Sequence, residues 1–435
     1  MKTASEMHLA PLELITETLP VPLMAFLFCL CGPTSLAQSW TQTGVPSNSW
    51  HTVAVSADGS KVVAAGDRVI YTSTNSGATW ISNDVPPLKW YAVACSADGQ
   101  RLCAGTFDVT NSLYTSSDSG RSWAPVTGGS LPPVEARWAA LASSANGSKL
   151  IAINGYQSPS NPYCIYTSDD FGMTWRSNDV VATDWSSVAT SADGTRLVAG
   201  CLNWTWYLHS GFGGDGSILT STNRGLTWNS NWEAPAPWAS VASSADGLNL
   251  VAVESVVNIE PVGSNGLNGI FTSTNSGIDW AQTGASSVVR WHSVASSADG
   301  LKLVAGAVDG IFTSSDSGST WTSNNLAGLA KGSTITCVCS SADGNKLFAI
   351  PFGIGTILAS ESVPHPLLEV KSANNELECS WIVPSADFVL QESTGLTSLG
   401  WNDVEAQPTF DAIALKYRLT LPATNLQSFY RLAVH

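Results

Sequence analysis

Apolar and polar positions repeat along this chain on two scales. On the short scale, six-residue stretches such as Trp50-His-Thr-Val-Ala-Val and Trp238-Ala-Ser-Val-Ala-Ser carry small apolar and hydroxyl residues in the rhythm of strands. A Ser-Ala-Asp-Gly turn (Ser-Ala-Asn-Gly at 144–147) follows each, then a second apolar stretch such as Lys302-Leu-Val-Ala-Gly306. A gap of variable length leads to a third stretch resembling Gly310-Ile-Phe-Thr-Ser314, a polar turn, and a Trp that opens a fourth. On the long scale this unit recurs from Trp50 to Trp80, Trp90 to Trp123, Trp138 to Trp175, Trp185 to Trp228, Trp238 to Trp280 and Trp291 to Trp321.

A further copy begins near Ile335 and stops after Ser360 without its last strand. The missing piece stands at the other end: Gln38-Ser-Trp40-Thr-Gln-Thr-Gly-Val-Pro46 matches the residues that follow the closing Trp elsewhere. Residues 38–362 therefore divide into seven units of about 46 residues, the size of a four-stranded blade. The expected fold is all-β: a seven-bladed β-propeller over 38–362 whose N-terminal strand completes the last blade, so that no sheet edge is left open. Near His365 the period ends, and residues 363–435 carry short alternating stretches (LLEVKS, LECSWIV, FVLQEST, IALKYRLTL, SFYRLAV). These predict a small β-sandwich-like domain, too small for a generous core of its own.

The polar turn before each closing Trp has one chemistry. It reads Ser73-x-Asn75-x-Gly77-x-Thr79-Trp80, and recurs around Asp118, Asp170, Asn223, Asn275 and Asp316. A Ser and an Asp or Asn side chain can accept turn N–H groups, Gly can take positive φ, and Trp can pack into the blade. These six residues are read as structural, not catalytic. The motif resembles the Asp-box, or BNR repeat, of the sialidase, sortilin, xyloglucanase and photosystem-assembly-factor propellers, over about three quarters of the chain. That resemblance implies that the box turns lie on the face away from the ligand site. The tail is similar to the fibronectin-like or jelly-roll-like module that closes many secreted bacterial proteins, on its FVLQ-S…W…FYRL pattern.

Composition narrows the function. Charged residues make up only 12% of the chain, the formal net charge is −15, and no Lys/Arg cluster occurs. This disfavours nucleic acid and anionic lipid as partners. The apolar run Leu23–Cys31 and the small residues at Ser35 and Ala37 read as an export signal over 1–37, too short to span a bilayer. Its leader departs from the usual pattern, with Lys2 as its only basic residue. The expected location is secreted, cell-surface or periplasmic, as a monomer. The cysteines after the signal are scattered, with no C-x-x-C and no His at ligand spacing. They read as small core residues, and no metal or cofactor is expected.

Variable loops on a rigid scaffold are where binding concentrates. Here the gap between second and third strands runs from Gly66-Asp67-Arg68 in the first unit to 201–217 in the fourth and 254–269 in the fifth. The fourth holds Trp204, Trp206, Tyr207 and His209, a cluster without counterpart in the repeat; the fifth holds Glu254 and Glu260. Arg137 and Arg290 each precede a repeat Trp and would form a partial basic rim on that face, with Lys89. These are the candidate ligand-binding residues. The Trp residues that open the units are read as packing between blades, with sugar stacking as the alternative. His51 and His292, each after such a Trp, are read as structural or as possible lyase bases. A sialidase needs three clamping Arg, and its Arg-Ile-Pro signature is absent; a glycoside hydrolase needs a carboxylate pair, and no spacing singles one out. The expected function is non-catalytic binding of a glycan or an extracellular protein, with no catalytic residue assigned. The alternatives are a glycoside hydrolase or polysaccharide lyase on the same face, or an assembly factor.

Overall fold

The computed structural model describes residues 38–107, 113–128, 137–155, 164–178, 180, 185–201, 217–230, 236–254, 269–286, 289–324, 326, 329, 332–362, 367–373, 376–383, 388–394, 400–422 and 428–434. The expected export signal lies outside them. Among the described residues every regular element is a strand, and no helix is long and apolar enough to cross a membrane.

Seven four-stranded antiparallel sheets span Thr41 to Glu361, one per repeat unit. Blade one is Trp50–Val55, Val62–Gly66, Val69–Ser73 and Ile81–Ser82, and the next five follow the same plan. Blade seven takes three strands from Ile335–Ser340, Lys346–Pro351 and Leu358–Glu361, and its fourth is Thr41–Gln42, paired as Thr41↔Ala359 and Gln42↔Leu358. The N-terminal strand thus closes the last blade, as the repeat phase requires. Trp40 is buried in the core that it shares with Val338, Leu347 and Leu358 of that blade.

The inner strands touch in a closed circle, and their Ser-Ala-Asp-Gly turns draw the circle tighter. The amide of Ala57 donates to the carbonyl of Ala97, and the bond is passed on through Ala145, Ala192, Ala245, Ala298 and Ala342 back to Ala57, every link 2.7–2.8 Å. Alanine suits this crowded axis because any larger Cβ substituent would fill it. In each turn the Ser hydroxyl donates to the acidic or Asn side chain two residues on, as from Ser56 to Asp58 at 2.5 Å, and accepts the amide five residues on. That fifth residue also reaches the next blade. Lys61, Lys149 and Lys302 donate Nζ to the carbonyls of Asp98, Asp193 and Asp343; Arg196 and Asn249 do the same to Asp246 and Asp299. The turn glycines leave room for these stems: a methyl on Gly194 would lie 2.6 Å from Lys149 Cδ. Much of the chain's scarce positive charge is therefore spent between blades on this face.

The box turns behave as the sequence implies. In blade one Ser73 Oγ accepts the Gly77 amide at 2.9 Å, Asn75 Oδ1 accepts the Thr79 amide at 2.9 Å, and Trp80 Nε1 donates back to the Gly77 carbonyl at 2.9 Å. The same set recurs around Asp118, Asp170 and Asn223. Around Asn275 the residue that donates is Asp279. At Asp316 the two turn amide bonds are kept.

Beyond Glu361 the strands Glu369–Ala373, Glu376–Ile382, Lys416–Pro422 and Thr409–Asp411 form one sheet, in that order. Asn402–Asp403, Phe388–Ser393 and Phe429–Val434 form a second. Leu377, Cys379, Trp381, Leu419 and Leu421 of the first meet Leu390 of the second in one buried core. Arg418 links Glu378 and Asp411 across the first sheet. This pair of sheets packs on the propeller's uniform-turn face, with Ile382, Val383, Leu415 and Tyr417 against Ala57 and Ala342.

Candidate functional site

The site follows from a defect repeated in every blade. The inner strand slips register between its first residue and the third, so that Trp50 pairs with Gly66 while Thr52 pairs with Ala65. The same shift occurs in the other six blades. A β-bulge turns a side chain out of the ladder at the rim of a sheet. The bulged position holds His51, Tyr91, Ala139, Ser186, Ala239, His292 and Thr336. The repeat varies its chemistry there, from aromatic to small residues, and the position lies at the variable-loop end of the strands.

In blades one and two that position supplies His51 and Tyr91, which join Phe107, Lys89 and Arg137 in a continuous cluster. His51 stacks on Tyr91 with centroids 5.0 Å apart, and Tyr91 on Phe107 at 4.7 Å, both tilted by about a third of a right angle. The Arg137 guanidinium lies 5.3 Å from the Phe107 centroid and Lys89 Nζ lies 6.0 Å from it. At the other end His51 Nε2 shares a 2.9 Å hydrogen bond with Asp67 Oδ1. The short hairpin of blade one holds Asp67 in place: its amide donates to the Ser49 carbonyl, its carbonyl accepts Asn48 Nδ2, and its backbone pairs antiparallel with that of Lys89. The bond from His51 is the main reason that the Asp67 carboxyl sits below its ordinary range. Tyr91 is 36% exposed, yet burial of its phenol pushes its titration upward. The result is a strip of flat rings with a carboxylate at one end and two cations at the other. Such a strip can stack on a planar or sugar face while holding an anion.

The sequence-derived candidates fare unevenly. Arg137 joins the cluster. Arg290 lies on blade six, exposed, beside His292, whose titration is lowered by burial and then by that Arg. Glu254 is not in the loop: it ends the second strand of blade five, pairs opposite Trp238, and is 3% exposed, with its carboxyl raised by burial. Trp204, Trp206, Tyr207, His209 and Glu260 lie outside the described residues. Lys89 and His51, noted only in passing, turn out to be central, and Tyr91 and Phe107 were missed. Aligning the units on their first Trp would have exposed Tyr91 as a large aromatic where other units carry His, Ala, Ser or Thr.

The Trp that opens each unit is no platform. Trp90, Trp138, Trp238 and Trp291 are fully buried, Trp50 and Trp185 nearly so. Each packs between its own blade and the one before, as Trp90 does with Val63, Ala65 and Ile70. Trp50 meets Tyr71, Trp90 meets Tyr114, and Trp238 meets Phe271 edge-on. The described cysteines are likewise core residues, buried or half-buried, and burial pushes Cys103 up to about 12. Among the described residues no group of three His, Cys, Asp or Glu side chains is placed to hold a metal ion.

No protein-family model matches the chain, and no curated protein matches it significantly. Solved structures do. YCF48 bound to D1 peptide aligns with a TM-score of 0.53 at 15% identity, over 74% of this chain and 96% of that one. YCF48 from Cyanidioschyzon merolae gives 0.52 at 13%, over 75% and 99%. Hydrazine synthase of Kuenenia stuttgartiensis gives 0.55 at 14%, over 74% and 97%. At such identities the likeness is one of fold: this chain is a β-propeller.

Proposed function

We propose that this chain is a non-catalytic binding module that holds a segment of another protein on its variable-loop face. The observation that carries the reading is the His51–Tyr91–Phe107 stack, capped by Lys89 and Arg137, on the face opposite the one covered by the C-terminal sheets. A solved propeller of the same architecture, YCF48, is bound to a peptide, which supports a binding role for such a scaffold. Asp67 is engaged with His51 and Glu254 is buried at the end of a strand, an arrangement that suits binding. The box turns keep to structural work, in line with an Asp-box propeller. Trp204, Trp206, Tyr207, His209, Glu260 and Arg290 belong to the same proposed face. Export to the cell surface or periplasm goes with it, as do domain limits of 1–37, 38–362 and 363–435. A second reading, a glycan ligand, is favoured by the exposed ring of Tyr91.

The test is binding of the full chain to a peptide library and to a glycan array, repeated with Tyr91→Ala and Arg137→Ala. We expect peptide hits whose affinity falls at least about tenfold in each variant, equivalent to about 1.4 kcal/mol. Glycan hits with the same sensitivity would support the second reading. Hits indifferent to both substitutions would remove this face as the site, and release of reducing ends from polysaccharides would overturn the non-catalytic reading.

A further inference from the structure

The C-terminal sheets meet the propeller through a projecting turn, beside contacts from Ile382, Val383 and Tyr417. Between the strands Thr409–Asp411 and Lys416–Pro422 the chain makes a tight loop, in which Asp411 Oδ1 accepts the amides of Ile413 and Ala414, each at 3.0 Å. Ala412 and Leu415 enter the alanine circle and pack against Ala145, Ala192 and Ala245 of blades three, four and five. Leu415 also packs with Ala57 and Ala342, the turns on either side of the chain closure. It therefore touches the circle on all sides. It forms the floor of an axial cavity of 160 Å³ whose walls include Val55, Cys95, Ser143, Thr190, Ser243, Ser296 and Ser340.

Leu415 is conformationally out of place. Its φ is +51°, a left-handed backbone that favours glycine or asparagine. Its carbonyl accepts the Val383 amide at 2.9 Å, which any residue could do. A turn needing only its own geometry gains nothing from leucine there. The neighbouring Ile413 points outward, 63% exposed, so the loop is not simply apolar throughout.

We infer that Leu415 is a peg seated in the alanine circle, and that through it the C-terminal sheets act as a clasp. The clasp plugs the axis of the propeller and couples the two ends of the ring to the blades opposite them. The partner of this face is thus the chain's own C-terminal module. The inference stands apart from the proposed ligand site, since it concerns the other face.

Glycine separates the peg from the turn. If Leu415 serves only the turn, Leu415→Gly relieves the left-handed strain, and the chain unfolds at a higher temperature. If Leu415 is a peg, the same change empties the seat. The experiment compares wild type, Leu415→Gly and an outward control, Ile413→Asp, by lysine cross-linking with mass spectrometry and by calorimetry. In wild type and the control, we expect cross-links from Lys416 to the lysines of the turn face, Lys61, Lys149, Lys302 and Lys346, and a single unfolding transition. In Leu415→Gly we expect those cross-links to fall at least fivefold and the transition to split in two. A glycine variant that keeps its cross-links and unfolds in one step at or above the wild-type temperature would overturn the inference. So would wild-type cross-links running to Lys89, which lies on the opposite face.

Discussion

The box turns carry the residue-scale chemistry in two spellings. Where Asn stands, its Nδ2 donates to the side chain four residues on, from Asn75 to the Thr79 hydroxyl at 2.9 Å and from Asn275 to the Asp279 carboxylate. Where Asp stands, the hydroxyl donates instead, as from Thr174 to Asp170 at 2.5 Å. The two are interchangeable in shape and differ only in charge. Asp118, Asp170 and Asp316 all titrate below the ordinary aspartate value; hydrogen bonds from the turn overcome the opposing effect of burial. A carboxyl whose folded value is depressed stabilises the fold above its unfolded value near 4, and that contribution is lost as pH falls through the folded value. Stability should therefore decline below about pH 4. The triple change Asp118→Asn, Asp170→Asn, Asp316→Asn should flatten that decline while leaving the neutral-pH midpoint nearly unchanged. Urea midpoints measured between pH 2 and pH 7 check this; an unaltered acid slope would contradict it.

At the scale of the element, each blade is a legible unit because one pattern specifies all its levels. The Trp is fixed by packing on the previous blade, the alanine by the axial circle, the turn glycine by its neighbour's cation, and the box by its own hydrogen bonds. Sequence reasoning could read these because they recur. It could not foresee that Lys61 or Lys149 would be latches, since their partner is a backbone carbonyl in the next unit. It also took Glu254 for a loop residue, because nothing local marks where a strand ends. The ring stack was hidden for a related reason: His51, Tyr91 and Phe107 come from two units, and only the bulge brings them together. The latch makes its own prediction. Gly194 has φ of +70° and abuts the Lys149 stem, so Gly194→Ala should cost about 2–4 kcal/mol from backbone strain and crowding together. Lys149→Ala in the same background should recover part of that loss, read as denaturation midpoints of the single and double variants.

For the whole molecule, the decisive contacts join residues far apart in sequence. The phase of the repeat foretold that the segment around Trp40 would finish blade seven, and Thr41 pairs with Ala359. The hold is narrow: a two-residue strand, the Thr43 amide on Ile357, and the buried Trp40 ring. Trp40→Ala should therefore cost about 3–5 kcal/mol and broaden unfolding. Circular dichroism during denaturation would register it, and a loss under about 1 kcal/mol would mean that the blade closes without its anchor. The same closure sets a timetable. Thr41 and Ala359 stand 318 positions apart, so the strand made first must wait for its partner until that much more chain has been added. At ordinary rates of synthesis that delay is on the order of tens of seconds. Throughout it, the outer strand of blade seven has no sheet to join, and whatever escorts the emerging polypeptide has that interval in which to keep it from finding another mate.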